Sequence, residues 1–599
     1  MVFLLILYHK TSAHTMKKVW LRLWSLALRP LLENARFFVF MGLTMATCIV
    51  LEPWDSIRPL ALVELLADLY MVCALLCLLP RKVRSFMRDA LTVGTYAVCL
   101  VDSFLYERTG APMQPAVLRA IVATTPDEAA EAVHAYVVPS AIWSPVGIIL
   151  ALGCAHAVLA LWPRLRWAWA ERWYRRWGAP AVLACVPVCF AASCTNRHYM
   201  LHRLLLAQSD TELPGHIMDV TIKTGYYSPV HRLWHSLLEV KRDGRALDAL
   251  PAWAGRASVD SCSYRSPHIV LIIGESQNRR HSSLYGYGKP TCPRAEKRRR
   301  EGNLMVLNDV VTPWNFTTEA LEHLFSLYCV GDSGSWATSP LVTAVMRLAG
   351  YHVTFISNQY VLHPPKNTAS LLDTGLLVDS ALSRIQFDRR NAATHPYDEG
   401  LLNDYDSLRQ WMTKSNLTIF HLIGQHIEFA DRVPEGWHRF KGDDYRRPDL
   451  TPRQRDILAD YDNAILYGDY VTDAILKRFE QEEAIVLFLP DHGERAFDHC
   501  QTYGRSNSMS PNDVEQQYVI PMWIWMSDSY MEKHPDVVCA VSEAKNRPFM
   551  TDRLPHLLLG LAGIKTSVYR PELDLLHPDY DEQRPRLLRG KYEYRCAYD

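Results

Sequence analysis

The stretch "IVLFLPDHGERAFDHC", Ile485 to Cys500, sets an unbroken apolar run directly against Asp491, His492 and Gly493. Ile485 to Leu489 has the length and composition of a buried strand, and a run apolar at every position suits a sheet covered by helices. In such folds ligand groups stand just beyond the C-terminal ends of the strands. The stretch therefore reads as a strand whose final turn delivers a carboxylate and an imidazole to one place, with His499 seven residues further on as another candidate.

Two other apolar runs end in the same manner. "HIVLIIGES" gives a strand from His268 to Ile273 followed by Gly274, Glu275 and Ser276, and "LTIFHLIGQH" ends in Gly424, Gln425 and His426. His426 alone reads more readily as a structural residue than as a ligand. Between them, "NDVVTPWNFTTEALEHLFSLY" runs a loop holding Thr317 and Thr318 into an amphipathic helix with Leu321, Leu324, Phe325 and Leu327. Threonine at a helix start caps it, and a helix N-terminus also stabilises a bound phosphate; the two roles are compatible. Glu275, Asp491 and His492 together supply oxygen and imidazole ligands suited to Zn²⁺, with Mn²⁺ as the alternative, and the Thr317 hydroxyl would complete a four-coordinate site. A dication there would favour the alkoxide and so activate a weak nucleophile.

Working outward, the chain has 599 residues, too many for one ordinary domain. Lys and Arg number 64 and so do Asp and Glu, so the overall charge gives no reason to expect a nucleic-acid partner. The apolar residues crowd the first third. Five stretches there, near Phe37–Pro53, Pro59–Leu79, Ala90–Tyr106, Val137–Trp162 and Ala179–Cys194, approach the roughly 20 residues a bilayer-crossing helix needs. Basic residues recur in every second connection: Lys17 to Arg36, Arg81 to Arg88, and Arg164 to Arg176. By the positive-inside rule those segments are cytoplasmic, and everything after Cys194 lies outside. Buried core helices of a soluble protein would give no reason for that alternation. Glu64 and Asp68 share one face of the second span, a position for headgroup handling or for helix pairing. The opening "MVFLLILYHKTSAHT" lacks a basic start and a cleavage site, and Met16 is an equally natural start.

Eight of the fourteen cysteines lie at or before Cys194; the other six permit disulfides in an oxidising compartment but form no CxxC pair. Residues 196–265 read as an amphipathic linker lying on the bilayer surface. The remainder alternates short apolar runs with helical patterns, which indicates an α/β fold with a largely parallel sheet.

Taken together, these elements resemble the phosphoethanolamine transferases of Gram-negative inner membranes, within the alkaline phosphatase and sulfatase superfamily. The shared elements, in that family's order, are "GES", "SLYGY", a Thr eight residues ahead of "FS", "ISNQ", "HLIGQH", "YDNAILYGDYVTDAIL" and "PDHGE". The resemblance implies a cytoplasmic segment at 1–36, a five-helix transmembrane bundle at 37–195, a linker at 196–265 and a periplasmic catalytic domain at 266–599. It implies zinc held by Glu275, Thr317, Asp491 and His492, with Thr317 rather than Thr318 as nucleophile. Asn358 and His426 resemble substrate-phosphate or second-metal positions, and Glu128 resembles a residue that contacts the donor's ethanolamine headgroup. The implied activity moves phosphoethanolamine from phosphatidylethanolamine, through a phosphothreonine intermediate, to lipopolysaccharide or another periplasmic glycan, by a monomer in the inner membrane.

The chain departs from the lipid A branch of that family. Gly504 stands where the branch has a second histidine, which leaves His499 or Arg505 to hold phosphate. Asn315, Phe316 and Glu319 replace cysteines around the nucleophile, and Ala120 stands near a donor-loop asparagine. These differences favour the branch that modifies core heptose or other glycans. The alternatives are a phosphoglycerol transferase of the lipoteichoic acid synthase type and a non-catalytic membrane binding module. A sulfatase is disfavoured because no Cys/Ser-x-Pro-x-Arg signature surrounds Thr317.

Overall fold

A computed structural model describes residues 13–50, 58–109, 113, 118, 145–161, 172–194, 229–234, 236–237, 250–362, 375–500, 502–505 and 508–595. The chain divides into two units, residues 1–115 with 137–237, and residues 116–136 with 238–599.

The first unit is helical: α1 Ala13–Glu33, α2 Ala35–Val50, α3 Arg58–Leu78, α4 Arg81–Thr109, α5 Pro145–Leu161 and α6 Ala179–Ala192. A helix thus falls within or across each of the five apolar stretches. By length and apolarity alone, one of them qualifies to cross a membrane, through Ala61–Leu78 with a mean hydropathy of 2.2. α1 and α2 qualify as a pair bent by 65°; Pro30 lies within α1, and the Asn34 amide at the break donates to the carbonyls of Pro30 and Cys73. Glu64 is buried, and Asp68 stands 4.0 Å from His231. The described part of the linker carries Arg232, whose guanidinium reaches the buried Asp102 carboxylate at 2.7 Å. Residues 1–12, with the first of the two candidate starts, and most of the linker lie outside the described residues. All thirteen described cysteines are free thiols, so the disulfides that an even count permits do not form among them.

The second unit is built on a seven-stranded sheet: β1 His268–Gly274, β2 Leu304–Leu307, β3 His352–Ser357, β4 Arg389–Arg390, β5 Asn416–His421, β6 Ala484–Pro490 and β7 Met522–Met526. The spatial order is β2-β7-β6-β1-β5-β3-β4. β6, β1, β5, β3 and β4 are mutually parallel, whereas β7 runs antiparallel to both its neighbours. The sheet is therefore mixed, because the chain from β6 returns through β7 at its side.

Alternation along each strand divides the core into two layers. Ile485, Leu487 and Leu489 of β6 join Leu271, Ile273, Phe355 and Ile419 on one face. Val486 and Phe488 join Val270, Ile272, Ile356 and Phe420 on the other. Every residue from Ile485 to Leu489 is at most 5% exposed, which accounts for the unbroken apolar run. At about 1.5–3 kcal/mol for each fully buried large apolar side chain, the central strands anchor the turns that follow them. Three helices matter below: α7 Pro293–Glu301, α8 Thr317–Phe325 and α9 Pro452–Phe479.

Candidate metal centre

β1 and β6 are adjacent and parallel, with Gly274 opposite Pro490, so Glu275 and Asp491 leave the sheet side by side. The turn after β1 is tight. Ser276 takes a left-handed conformation, φ +54°, which costs a non-glycine residue roughly 1–2 kcal/mol. Both sides of its backbone are held: its N–H donates to Asp491 Oδ1 at 3.1 Å, and its carbonyl accepts from the Tyr461 hydroxyl of α9 at 2.8 Å.

Counting lone pairs identifies the atoms left for a ligand. Asp491 Oδ1 accepts from the N–H groups of Ser276 and His492, while Oδ2 has no hydrogen-bond partner although it is wholly buried. His492 Nδ1 lies 2.8 Å from the Gly493 carbonyl, which fixes the proton on Nδ1 and leaves the Nε2 lone pair free. Glu275 Oε1 accepts from Ser276 Oγ at 2.6 Å and Arg505 Nη2 at 2.9 Å; Oε2 accepts from Gln359 Nε2 at 3.2 Å. Thr317 Oγ1 closes the set, 3.3 Å from Glu275 Oε2 and 3.3 Å from His492 Nε2. Thr317, and not Thr318, makes these contacts. It is the first residue of α8, so the positive end of that helix backs the hydroxyl.

Glu275, Asp491 and His492 are wholly buried, and one ligand atom from each lies within 4.8 Å of the others. Two carboxylate oxygens, an imidazole nitrogen and a hydroxyl match the donor set zinc favours in four-coordination, and the orphaned Asp491 Oδ2 is the atom such an ion would satisfy. Without the ion the two carboxylates conflict. Burial alone would raise the Glu275 carboxyl, but the Arg505 guanidinium and the nearby imidazoles outweigh it and hold the group below the usual carboxylate range. Asp491 is pushed well above that range by burial and by the charge on Glu275. Burial and Arg505 bring His492 down to about 3, so the imidazole is neutral and able to ligate.

Arg505 is delivered by a short hairpin. Arg495 donates to the carbonyls of Gly504 and Arg505, and Gly504 takes φ +87°, where glycine is favoured. Arg505 also lies 5.8 Å from the ring of Phe316, next to Thr317. Of the two substitutes weighed for the missing histidine, Arg505 is thus at the centre. His499 is exposed at φ +54° and belongs to no cluster with the ligands. His426 is half-buried, close enough for its charge to bear on Glu275 and His492.

Asn358 is engaged elsewhere, donating to Asp398 Oδ1 at 3.0 Å and accepting from the His395 N–H at 2.6 Å. Asp398 in turn accepts from the N–H groups of Ile423 and Gly424, so the two loops are tied together behind Glu275. A Cβ on Gly424, at φ +46°, would stand 3.0 Å from the Glu275 nitrogen. Gln359 was missed by reasoning from the sequence. Its amide donates to Glu275 Oε2 and, at 2.7 Å, to the Leu422 carbonyl; only its place beside Asn358 in "ISNQ" could have flagged it. Glu128 lies outside the described residues.

Comparison with known proteins gives a consistent grouping. Residues 267–564 match the sulfatase family. Phosphoethanolamine transferase EptC of Escherichia coli strain K12 is 26% identical over 535 residues, 87% of each chain. The periplasmic domain of EptC from Escherichia coli, solved in complex with zinc, aligns at 28% identity over 56% of this chain and 92% of that domain, with a TM-score of 0.49. Phosphoethanolamine transferase CptA of Salmonella typhimurium is 27% identical over 573 residues, 94% of each chain. The integral membrane protein lipooligosaccharide phosphoethanolamine transferase A of Neisseria meningitidis shares the fold over 90% of this chain and 98% of its own, with a TM-score of 0.60 at 17% identity.

Proposed function

Because the chain belongs to the phosphoethanolamine transferases of the sulfatase and alkaline phosphatase superfamily, we propose that it carries phosphoethanolamine from phosphatidylethanolamine to lipopolysaccharide or another periplasmic glycan, with Thr317 as the nucleophile. The observation that carries this reading is that the Thr317 hydroxyl lies 3.3 Å from both Glu275 Oε2 and His492 Nε2, with Asp491 Oδ2 3.3 Å from that same imidazole nitrogen.

Those four atoms would hold a zinc ion, which supplies Lewis acidity to the threonine hydroxyl and neutralises charge on the phosphoryl oxygens. In the first step the Thr317 Oγ–phosphorus bond forms and the bond from phosphorus to the diacylglycerol oxygen breaks; the threonine's proton leaves, in balance, with diacylglycerol. In the second step an acceptor hydroxyl or phosphate oxygen attacks the same phosphorus, and the threonine hydroxyl is restored. Arg505, aimed at the ligand cluster and lying over Phe316, is placed to bind a non-bridging phosphoryl oxygen as charge develops there. His426 stands by as a second group to meet the phosphate. Glu128, in the acidic stretch "TPDEAAEA" at residues 125–132, is proposed to take the donor's ammonium. The N-terminal unit then holds the lipid donor in the inner membrane, with five spans, a cytoplasmic N-terminus and residues 266–599 in the periplasm. The relatives that match along nearly the whole chain, EptC and CptA, are named phosphoethanolamine transferases, which supports the identity of the transferred group.

The test uses full-length protein in detergent with phosphatidylethanolamine. Diacylglycerol is expected to be released, the peptide containing Thr317 to gain one phosphoethanolamine unit, and the Thr317→Ala protein to do neither. Lipopolysaccharide fragments from expressing cells should gain the same unit. Release from phosphatidylglycerol instead would make the protein a phosphoglycerol transferase, and modification persisting in Thr317→Ala would remove the nucleophile assignment.

A further inference from the structure

The second unit carries a groove of about 620 Å³, lined by Pro293, Arg294 and Lys297 of α7, by Gly436, Trp437 and Arg439, and by Leu466 of α9. Its volume falls in the roughly 300–1,000 Å³ range of small-ligand sites. Three cations and no carboxylate line it, although the chain as a whole is neutral. A cleft lined by one sign of charge concentrates the field within it and draws in the opposite sign.

The parts are arranged for a particular kind of anion. Trp437 forms one wall and is fixed in place: its ring lies 4.6 Å from Tyr470 and 5.5 Å from Tyr467. Arg294 lies 5.2 Å from the rings of both Trp437 and Tyr470, which holds its guanidinium at the groove edge. Lys297 is 70% exposed, with only an exposed pair to Glu301 at 3.6 Å, and such pairs hold little energy against a competing anion. Arg439 is exposed and makes no side-chain hydrogen bond or ion pair among the described residues. A rigid indole plane offers the apolar contact that a sugar ring face can use, and the surrounding cations suit phosphate. A bilayer is a poorer match: the indole is recessed between tyrosines and cannot project as an anchor.

α9 takes part in both the groove and the centre. α7 is the first helix after the Glu275 turn, Trp437 lies in the segment that follows His426, and Leu466 is five residues beyond Tyr461, whose hydroxyl holds the Ser276 carbonyl. At 1.5 Å per residue, Leu466 lies about 8 Å from Tyr461 along α9.

We infer that this groove is a binding site for a phosphorylated saccharide, the part of the acceptor glycan next to the residue that receives the transferred group. The inference rests on the transferase reading above. Its consequence is that acceptor choice is made partly by phosphate on the glycan, outside the reacting centre.

The experiment titrates full-length protein in detergent with core oligosaccharide released from lipopolysaccharide by mild acid, before and after chemical dephosphorylation. The native oligosaccharide should bind, and its dephosphorylated form at least tenfold more weakly. Lys297→Gln with Arg439→Gln, both at exposed positions outside the core, should weaken native binding at least fivefold, and Trp437→Ala should do the same. Diacylglycerol release with water as acceptor should stay within twofold of wild type in both variants. Absence of oligosaccharide binding, or variants that bind it as well as wild type, would overturn the proposal. So would variants whose loss is confined to dihexanoylphosphatidylglycerol, a soluble anionic lipid, which would mark the groove as a membrane contact. Failure of wild-type protein to release diacylglycerol would remove the transferase reading while leaving the binding measurement interpretable.

Discussion

Glu275 is gripped from both oxygens, and the grip comes from residues of different elements. Gln359 also holds a backbone carbonyl, that of Leu422, so its amide cannot swing without losing two hydrogen bonds. Groups of this kind orient a ligand, and their loss typically lowers metal affinity 10- to 100-fold. Gln359→Ala should therefore bind zinc in that range more weakly in a chelator competition, and its cobalt-substituted form should show an altered visible spectrum. Gln359→Glu should not restore wild-type behaviour, since it sets a second negative charge against Glu275. An unchanged affinity and spectrum would make Gln359 a merely structural residue. Glu275, Asp491, His492 and Thr317 could be read from the sequence because each follows an apolar run or opens an amphipathic helix, where the chain must turn at the sheet's edge. Gln359 and the true partners of Asn358 could not, because side-chain hydrogen bonds across loops leave no periodicity. The same silence separates Arg505 from His499: residue type made both reasonable, and only the backbone of the hairpin decides between them.

At the scale of elements, the loop after β6 is pinned to α9 by a buried charge cluster. His281 Nδ1 lies 2.6 Å from Asp462 Oδ1 and its Nε2 lies 3.2 Å from Asp498 Oδ2, while the Tyr287 and Tyr445 hydroxyls donate to Asp462 Oδ2. Burial opposes the charge on His281, but Asp462 and Asp498 prevail and raise it to about 10 from the ordinary 6.5. A group raised on folding contributes stability that is complete below pH 6.5 and is lost as pH climbs through 10. Thermal unfolding of the second unit should thus move to lower temperature between those values, with a total change of a few kcal/mol. His281→Gln should unfold earlier at neutral pH and lose most of that dependence. A wild-type midpoint that is flat across this interval would mean the imidazole is neutral in the fold. "SLYGY" and "YDNAILYGDY" were legible as shared motifs, yet that they meet around one aspartate follows only from the packing of α9 on the turn after β1.

At the scale of the whole molecule, the change from apolar to polar composition was legible, but the two units do not divide at it, since residues 116–136 group with the second unit and 196–237 with the first. Each apolar stretch contains or overlaps a helix, while α1 lies ahead of all five. The pairing that ties the linker to the first unit was hidden, since Asp102 and Arg232 are far apart in sequence and each looks ordinary alone. Buried together at 2.7 Å, they resist separation: removing one partner of such a pair costs about 3–5 kcal/mol. Asp102→Asn should lower the unfolding temperature of the full-length protein in detergent, and a second change, Arg232→Met, should recover part of the loss. No recovery in the double variant would show that the two residues do not act as a pair. The mixed direction of the sheet was likewise not legible, because "MWIWM" reads the same whichever way its neighbours run.

The register of β1 against β6 also sets a clock. Gly274 and Pro490 are neighbours in the sheet but about two hundred residues apart in the chain. At the 5–20 residues per second of synthesis, Glu275 waits on the order of 10–40 s after its own translation before Asp491 exists. Until β5 is made both edges of β1 are open, and from then until β6 is made one edge remains open, so the sheet cannot close from its N-terminal side. An unpaired edge can pair with other chains, so making this protein includes shielding β1 during the wait.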